Sequence, residues 1–344
     1  MCRKDYFVAF WDYFGRFSTS KLEDNIDKHI CPQNFESKIG LKTPKNRQKS
    51  VFRSVILLVF SFFSLYANQN ESYALVKTQV ENRWQAFQTD RVFIEFEYGK
   101  SDVELKEEFE NIHKTRLAMY PMPGYEFAEP LIAADLIRAP GCAAFSFNNT
   151  VPYYNASTIC LRDKYYIACE GPRSKDILAF FHLLATQHVT HLVRLTSSYE
   201  AWTKKCHPYW DGFVTESNGN AYLNIPTDAG IYSVRAFHMD HWRDHHGVDP
   251  EELLALVLQM RKGLADVNGL LAIHCSAGVG RTGTFLAAMA IADAIDEGTP
   301  FSIEEIVYRL SLQRISSVAK FGQYITLHRL AESYLNQKNK NFQK

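Results

Sequence analysis

Apolar and polar residues alternate along the chain in two rhythms. Short unbroken or alternating apolar runs read as strands: Val92 to Tyr98, His191 to Thr196, Tyr232 to Met239 and Leu270 to Ile273. Stretches with apolar residues three and four apart read as helices. These are a mild one around Val80 to Phe87, one from Asp176 to Gln187, and the alanine-rich run Thr284 to Ala292. Two further helices carry start signals. Asp249-Pro250-Glu251-Glu252 sets a cap, a first-turn proline and the glutamate of a capping box ahead of Leu253, Leu254, Val257, Leu258 and Leu264, which read as core. Ser302-Ile303-Glu304-Glu305 is a second box, with Phe301 and Ile306 placed as a hydrophobic staple and a helix running to about Leu312. A last helix ends near Leu335, before a tail rich in lysine and asparagine.

The strand at Leu270 and the helix at Thr284 are joined by His274-Cys275-Ser276-Ala277-Gly278-Val279-Gly280-Arg281-Thr282-Gly283. Small residues and glycines on such a turn let successive backbone N–H groups point inward as an anion nest. The following helix aims its positive end at the same point. Arg281 adds a two-pronged donor suited to phosphate oxygens. A cysteine at the centre of that field is expected to lose its proton easily and act as a thiolate nucleophile. A lone Cys-x5-Arg is a weak signal, and a buried structural cysteine in a glycine turn would also produce one. Ten residues with both flanks of the right type are specific.

Those ten residues resemble the signature loop of the protein tyrosine phosphatases, the cysteine-based, tyrosine-specific branch. The resemblance extends over residues 105–337. Glu107 to Ile112 is similar to the family's first helix. Lys114-Thr115-Arg116-Leu117 falls where the family has a Lys-Asn-Arg-Tyr loop, so Leu117 stands in place of the tyrosine that stacks on the substrate ring. Tyr154-Asn155-Ala156-Ser157 and Tyr166 to Pro172 look like family core segments, with Glu170 for the usual glutamine. Lys204 to Trp210 resembles the Lys-Cys-x-x-Tyr-Trp segment, in which Cys206 is expected to pack. Phe237 to Val248 resembles the mobile Trp-Pro-Asp loop, with Arg243 for the proline and one residue added before Gly247-Val248. Gln323-Tyr324 matches the second of two family glutamines, while Ala319 stands where the first should be.

The resemblance implies one α/β domain: a central twisted mixed sheet flanked by helices, with the site at the carboxyl end of a strand. It implies Cys275 as nucleophile, and Arg281 with the amides of Ser276, Ala277, Gly278, Val279 and Gly280 as the phosphate cradle. Asp244 becomes the acid and base, with Asp240 as the rival carboxylate. Gln323 orients the hydrolytic water, and Leu117 borders the substrate. Thr282 either supports the cysteine sulfur or caps the helix. The activity implied is hydrolysis of phosphotyrosine in proteins through a phosphocysteine. The alternatives are a phosphoinositide, inositol-phosphate or dual-specificity phosphatase, which Leu117 favours, and a pseudo-phosphatase that binds without turnover, which Arg243 and Ala319 favour. Four histidines and three aspartates between His238 and Asp249 match no standard metal spacing. No metal or other cofactor is expected.

Composition narrows the rest. The formal net charge of the 344 residues is zero, so bulk electrostatics give nucleic-acid binding no support. The seven cysteines are an odd number without regular spacing, as in a free-thiol protein of a reducing compartment. Residues 1–50 form an extension of unknown role. Residues 51–69 hold the apolar run Val55 to Ala67 behind a basic flank, too short for a spanning helix of about 20 residues yet suited to a secretory signal or an anchor. A true start near Val51 would reconcile its position with export, with membrane passage or anchoring through residues 51–67. Residues 70–104 read as a linker or N-terminal addition, 105–337 as the phosphatase domain and 338–344 as a polar tail.

Overall fold

The computed structural model describes residues 73–87, 93–119, 154–217, 219–267 and 269–342. All belong to the second of two compact units, Asn68–Lys344. The expectations for residues 1–50 and 51–69 concern segments outside the described residues.

The described strands form a seven-stranded mixed sheet and a separate two-stranded hairpin. In chain order they are β1 (Ala156–Leu161), β2 (Lys164–Cys169), β3 (Val189–Arg194), β4 (Tyr199–Glu200), β5 (Thr203–Lys204), β6 (Val214–Ser217), β7 (Asn220–Thr227), β8 (Gly230–His238) and β9 (Leu270–His274). The sheet order is β1-β2-β9-β3-β8-β7-β6. The four middle strands β2, β9, β3 and β8 run parallel, and antiparallel pairs complete both edges. A parallel sheet needs both faces covered, which is why Leu271, Ala272 and Ile273 are all fully buried. Side chains alternate across the strand: Leu271 and Ile273 enter one core, Ala272 the other.

Helices supply the covers. They are α1 (73–87), α2 (Asp102–Met119), α3 (Ile177–Thr186), a short α4 (Trp210–Phe213), α5 (Pro250–Val267), α6 (Gly280–Glu297), α7 (Ile303–Gln313) and α8 (Phe321–Phe342). The larger core draws on α2, α5, α6, α7 and α8, and the smaller one on α3. Helix α6 is buried from Arg281 to Ala294, the signature of a helix apolar on every side. Its alanines let neighbours approach closely. The central strand β9 feeds directly into this central helix, so the connecting loop sits at the carboxyl end of the sheet with rigid elements on both sides.

Several sequence expectations need correcting. Residues 93–97 are extended but pair in no sheet. Every third residue turns inward there: Phe93 stacks on Trp84 and Phe96 on Phe301, while Ile94 is 61% exposed. A strand would have buried alternate residues. The helix expected around Val80 to Phe87 begins earlier, spans residues 73–87, and has its Trp84 fully buried in the main core. Lys114 to Leu117, expected as a loop, lies inside α2, which Ser101 starts by a capping box with Glu104. The last helix runs to Phe342 rather than Leu335, taking in most of the expected tail. Tyr334 Oη donates to Asp296 at 2.7 Å and Lys338 pairs with the same carboxylate, which extends the helix along α6.

The caps follow the sequence with one change. Asp249 Oδ1 accepts from the Glu251 and Glu252 amides at 3.0 Å, but the Glu252 side chain turns to His241 instead of closing the box. Ser302 Oγ accepts from the Glu305 amide at 3.2 Å.

Candidate active site

Cys275 follows β9 and is buried, and its Sγ accepts the Gly278 amide at 3.2 Å. Gly278 has φ +72° and packs on β2 so closely that a Cβ would lie 2.0 Å from the Cys169 carbonyl. Only glycine fits there. Helix α6 then opens at Gly280 with Val279 as its cap residue and no side-chain cap. Its first amides are therefore open to an outside acceptor.

The loop keeps its shape because its carbonyls are held outward. Arg314, just past α7, donates Nε to the Gly278 carbonyl at 2.5 Å and Nη2 to the Ala277 carbonyl at 3.1 Å. Its other contacts, Ser157 and Asn155, tie it to the start of β1. The Ser276 carbonyl accepts from the Gly171 amide, and Ser276 Oγ donates to the Lys205 carbonyl. With the carbonyls turned out, the amides face in.

Beneath the loop His274 is fully buried, and Cys275 O, at 2.9 Å from its Nδ1, can only accept. The ring proton therefore sits on Nδ1, and Nε2 accepts from Tyr209 Oη at 2.6 Å. Burial lowers the pKa of His274 to about 3, so the ring is neutral.

Arg281 is fully buried. Its Nη1 donates to Glu200 Oε1 at 2.5 Å and to the Trp242 carbonyl at 2.8 Å. Nη2 lies 3.2 Å from Asp244 Oδ1, a charge contact without hydrogen-bond geometry, and Nε has no partner. Burial opposes the guanidinium charge, but Cys275, Glu200 and Asp244 outweigh it and hold its pKa above the ordinary value.

Asp244 comes to this point on the loop after β8. Its Oδ2 accepts from Lys205 Nζ at 2.8 Å, and its amide donates to Glu200 Oε2 at 2.8 Å. Burial pushes the Asp244 carboxyl up, yet the Lys205 bond and the charges of Arg281 and His245 prevail and leave it below the usual range. Asp240 is 64% exposed on its side chain and pairs with His241 at 3.9 Å. The structure thus brings Asp244, not Asp240, to Arg281.

Gln323, in the first turn of α8, is buried against the loop: a Cβ on Gly280 would lie 3.0 Å from its Nε2 and 3.4 Å from Ala319. The Thr282 hydroxyl is buried without a hydrogen-bond partner, so neither the expected bond to Cys275 nor a helix cap is formed. The side chain of Leu117 lies outside the described residues. Cys206 is buried, its Cβ facing the same side of Gly171 as the Cys275 carbonyl. Among the described residues, no three or more His, Cys, Asp or Glu side chains converge to hold a metal ion.

Four contributors escaped the sequence reading: Glu200 and Lys205 around the β4–β5 hairpin, Arg314, and Thr326, which meets the far end of the Asp244 loop. The tyrosine-family resemblance of Lys204 to Trp210 was the available pointer to Lys205. For Arg314 and Thr326 nothing in the local spacing marks the role.

A central parallel strand that hands a cysteine to the unblocked amino end of a buried helix defines the class of cysteine-centred oxyanion cradles. Comparison with known proteins narrows that class. The family described as Protein-tyrosine phosphatase matches residues 145–228 and 221–333. The chain is 26% identical over 212 residues to the receptor-type tyrosine-protein phosphatase eta of Gallus gallus, covering 55% of this chain and 15% of that one. It is 29% identical over 180 residues to tyrosine-protein phosphatase 1 of Caenorhabditis elegans, covering 46% and 17%. A solved structure described as the structural basis of the PTPN18 fingerprint on distinct HER2 tyrosine phosphorylation sites superposes with a TM-score of 0.56 at 21% identity, over 67% of this chain and 95% of that one. That likeness concerns the fold. This chain therefore belongs to the protein-tyrosine phosphatase family, and it spans less than a fifth of the length of the curated relatives it matches.

Proposed function

We propose that the domain hydrolyses phosphotyrosine in proteins through a phosphocysteine intermediate. The observation that carries the reading is a donor set without an acceptor. The helix-end amides carry no side-chain cap, and Arg281 Nε is buried and unpartnered, all beside the Cys275 sulfur. A tetrahedral oxyanion satisfies these donors, and a sulfur beneath it is placed for in-line attack on phosphorus.

In the first step the sulfur–phosphorus bond forms as the phosphorus–oxygen ester bond breaks, and Asp244 gives its proton to the departing tyrosyl oxygen. In the second, Asp244 takes a proton from water, oriented by Gln323, as that water displaces the sulfur and frees phosphate. Asp244 is held ionised while it lies against Arg281 and Lys205. A bound phosphate dianion competes for Arg281 and brings negative charge beside the carboxyl, and both effects favour the protonated acid.

The test is phosphate release from phosphotyrosine peptide, phosphothreonine peptide and phosphoinositide by wild type, Cys275→Ser and Asp244→Asn. Release from phosphotyrosine peptide alone, abolished by Cys275→Ser, is expected. Because the acid must be protonated, kcat/KM of the wild type should fall as pH rises through the Asp244 pKa, and Asp244→Asn should lose that limb along with about 100-fold in rate. Release that survives Cys275→Ser removes the mechanism. No release from any substrate favours binding without turnover, and release from phosphoinositide favours the lipid substrate.

Among the described residues no helix is long and apolar enough to cross a membrane. We further infer export or anchoring from the basic flank and apolar run of residues 51–67. N-terminal mass spectrometry of the native protein tests it. Peptides from residues 5–45 would rule out a start near Val51.

A further inference from the structure

The loop that carries Asp244 is one residue longer than the family pattern and lacks its proline. The structure accommodates the difference by a turn. The His246 amide donates to the Arg243 carbonyl at 3.3 Å, and His245, third in the turn, has φ +67°. A left-handed residue at that place is what a type II turn requires. Two side chains brace the turn from within: Trp242 Nε1 donates to the His246 carbonyl at 2.9 Å, and His246 Nδ1 lies 2.7 Å from the Asp244 carbonyl.

The downstream end is held from outside. Thr326, buried on α8, accepts the Val248 amide at 3.2 Å on its Oγ1. Its single proton is shared between the Val248 carbonyl at 3.0 Å and the Gly322 carbonyl at 3.1 Å. One hydroxyl thus takes both polar groups of one loop residue and the carbonyl of its own helix. The contact is backbone against backbone: a Cβ on Gly247 would lie 2.5 Å from Gly322 O and 2.7 Å from Thr326 Oγ1. The same first turn of α8 carries Gln323 against the cradle. The end of the Asp244 loop and the water-orienting side chain therefore share one rigid mount.

We propose that Thr326 is a positioning residue for proton donation: its clasp on Val248 fixes the height of the lengthened turn, and so the place of the Asp244 carboxyl over the cradle. The inference rests on the phosphatase reading and on Asp244 as its acid.

The experiment uses leaving groups of different need. Phenyl phosphate requires a proton on its departing oxygen, whereas 2,4-dinitrophenyl phosphate leaves as a stable phenolate without one. Thr326→Val removes the hydroxyl at nearly constant volume, and Thr326→Ser keeps it. Thr326→Val should lose about tenfold in kcat/KM, which reports only the steps through release of the phenol, on phenyl phosphate, part of the 100- to 10,000-fold that a positioned acid contributes, and stay within about twofold in kcat/KM on dinitrophenyl phosphate. Thr326→Ser should restore the wild-type ratio. Thr326→Ala serves should the valine variant not fold, with the same expected split. Equal losses on both substrates would mean a structural role only and overturn the proposal, as would no loss on either. Wild-type protein inert towards both esters, or active after Cys275→Ser, would overturn the phosphatase reading itself. A Cys275-dependent enzyme without the split overturns the Thr326 proposal alone.

Discussion

Glu200 neutralises Arg281 from one side while Asp244 approaches from the other, and Thr196 Oγ1 donates to the same Glu200 oxygen at 2.8 Å. Burial pushes the Glu200 carboxyl up, but the Arg281 bond leads a set of contacts that leave it below its usual range. Glu200 is thus charged when the cradle is charged, and it aims the guanidinium. Glu200→Gln keeps the shape but replaces a charge-assisted bond with a neutral one. kcat/KM for phosphotyrosine peptide should fall about 10- to 100-fold, with little change in thermal midpoint. Steady-state kinetics beside a melting curve check this, and unchanged kinetics would deny Glu200 the aiming role. At this scale the sequence was informative where the chemistry is local. Cys275, the inward amides and Arg281 lie within one turn and one strand end, so spacing alone describes them. Glu200 sits 81 positions from Arg281. No periodicity connects two residues that meet only after folding.

Among elements, the segment from Arg314 to Gln323 supports the cradle from below and beside. Arg314 holds the buried Gly278 carbonyl and the part-buried Ala277 carbonyl. Arg314→Met leaves them without this donor, at a cost of about 1–3 kcal/mol for Gly278 and less for Ala277. The thermal midpoint should fall by several degrees and vanadate should bind more weakly. Calorimetry and inhibition by vanadate test this, and wild-type inhibition by the variant would show that the amides need no such brace. The element-scale reading erred where aromatic residues were taken for strand alternation. Phe93 and Phe96 are three apart, a spacing that fits an extended strap lying across α1 and the residues before α7. It erred again at α8, where Tyr334 and Lys338 find Asp296 on α6 and carry the helix on. Polar composition predicts a frayed end, and tertiary partners override it. Lengthening of the Asp244 loop was legible, but the turn and clasp that absorb it were not.

For the whole molecule, acid should be the weak point. His274 and His328 are buried, and burial lowers their pKa values to about 3 and about 4. A histidine depressed in the folded state stabilises the fold fully above its unfolded value near 6.5, and that contribution is lost as pH falls below it. Each is worth about 2 kcal/mol by pH 5. Urea midpoints should therefore drop between pH 7 and pH 5, and less so in His328→Phe, whose site is lined by Phe96 and Tyr324. A flat profile would contradict the sign. The layered α/β plan was legible because the buried parallel strands are continuous apolar runs and α6 is apolar on every side. The join of α1 to that plan through Trp84 was not, since a single tryptophan gives no period. With Asp244 lying against Arg281 Nη2, an anion that takes the open amides and Nε of the cradle finds the guanidinium charge already shared with a resident carboxylate. If the cradle binds phosphate as proposed, the protein's own anion should weigh against weakly charged ligands and favour doubly ionised phosphate over sulfate esters and phosphodiesters.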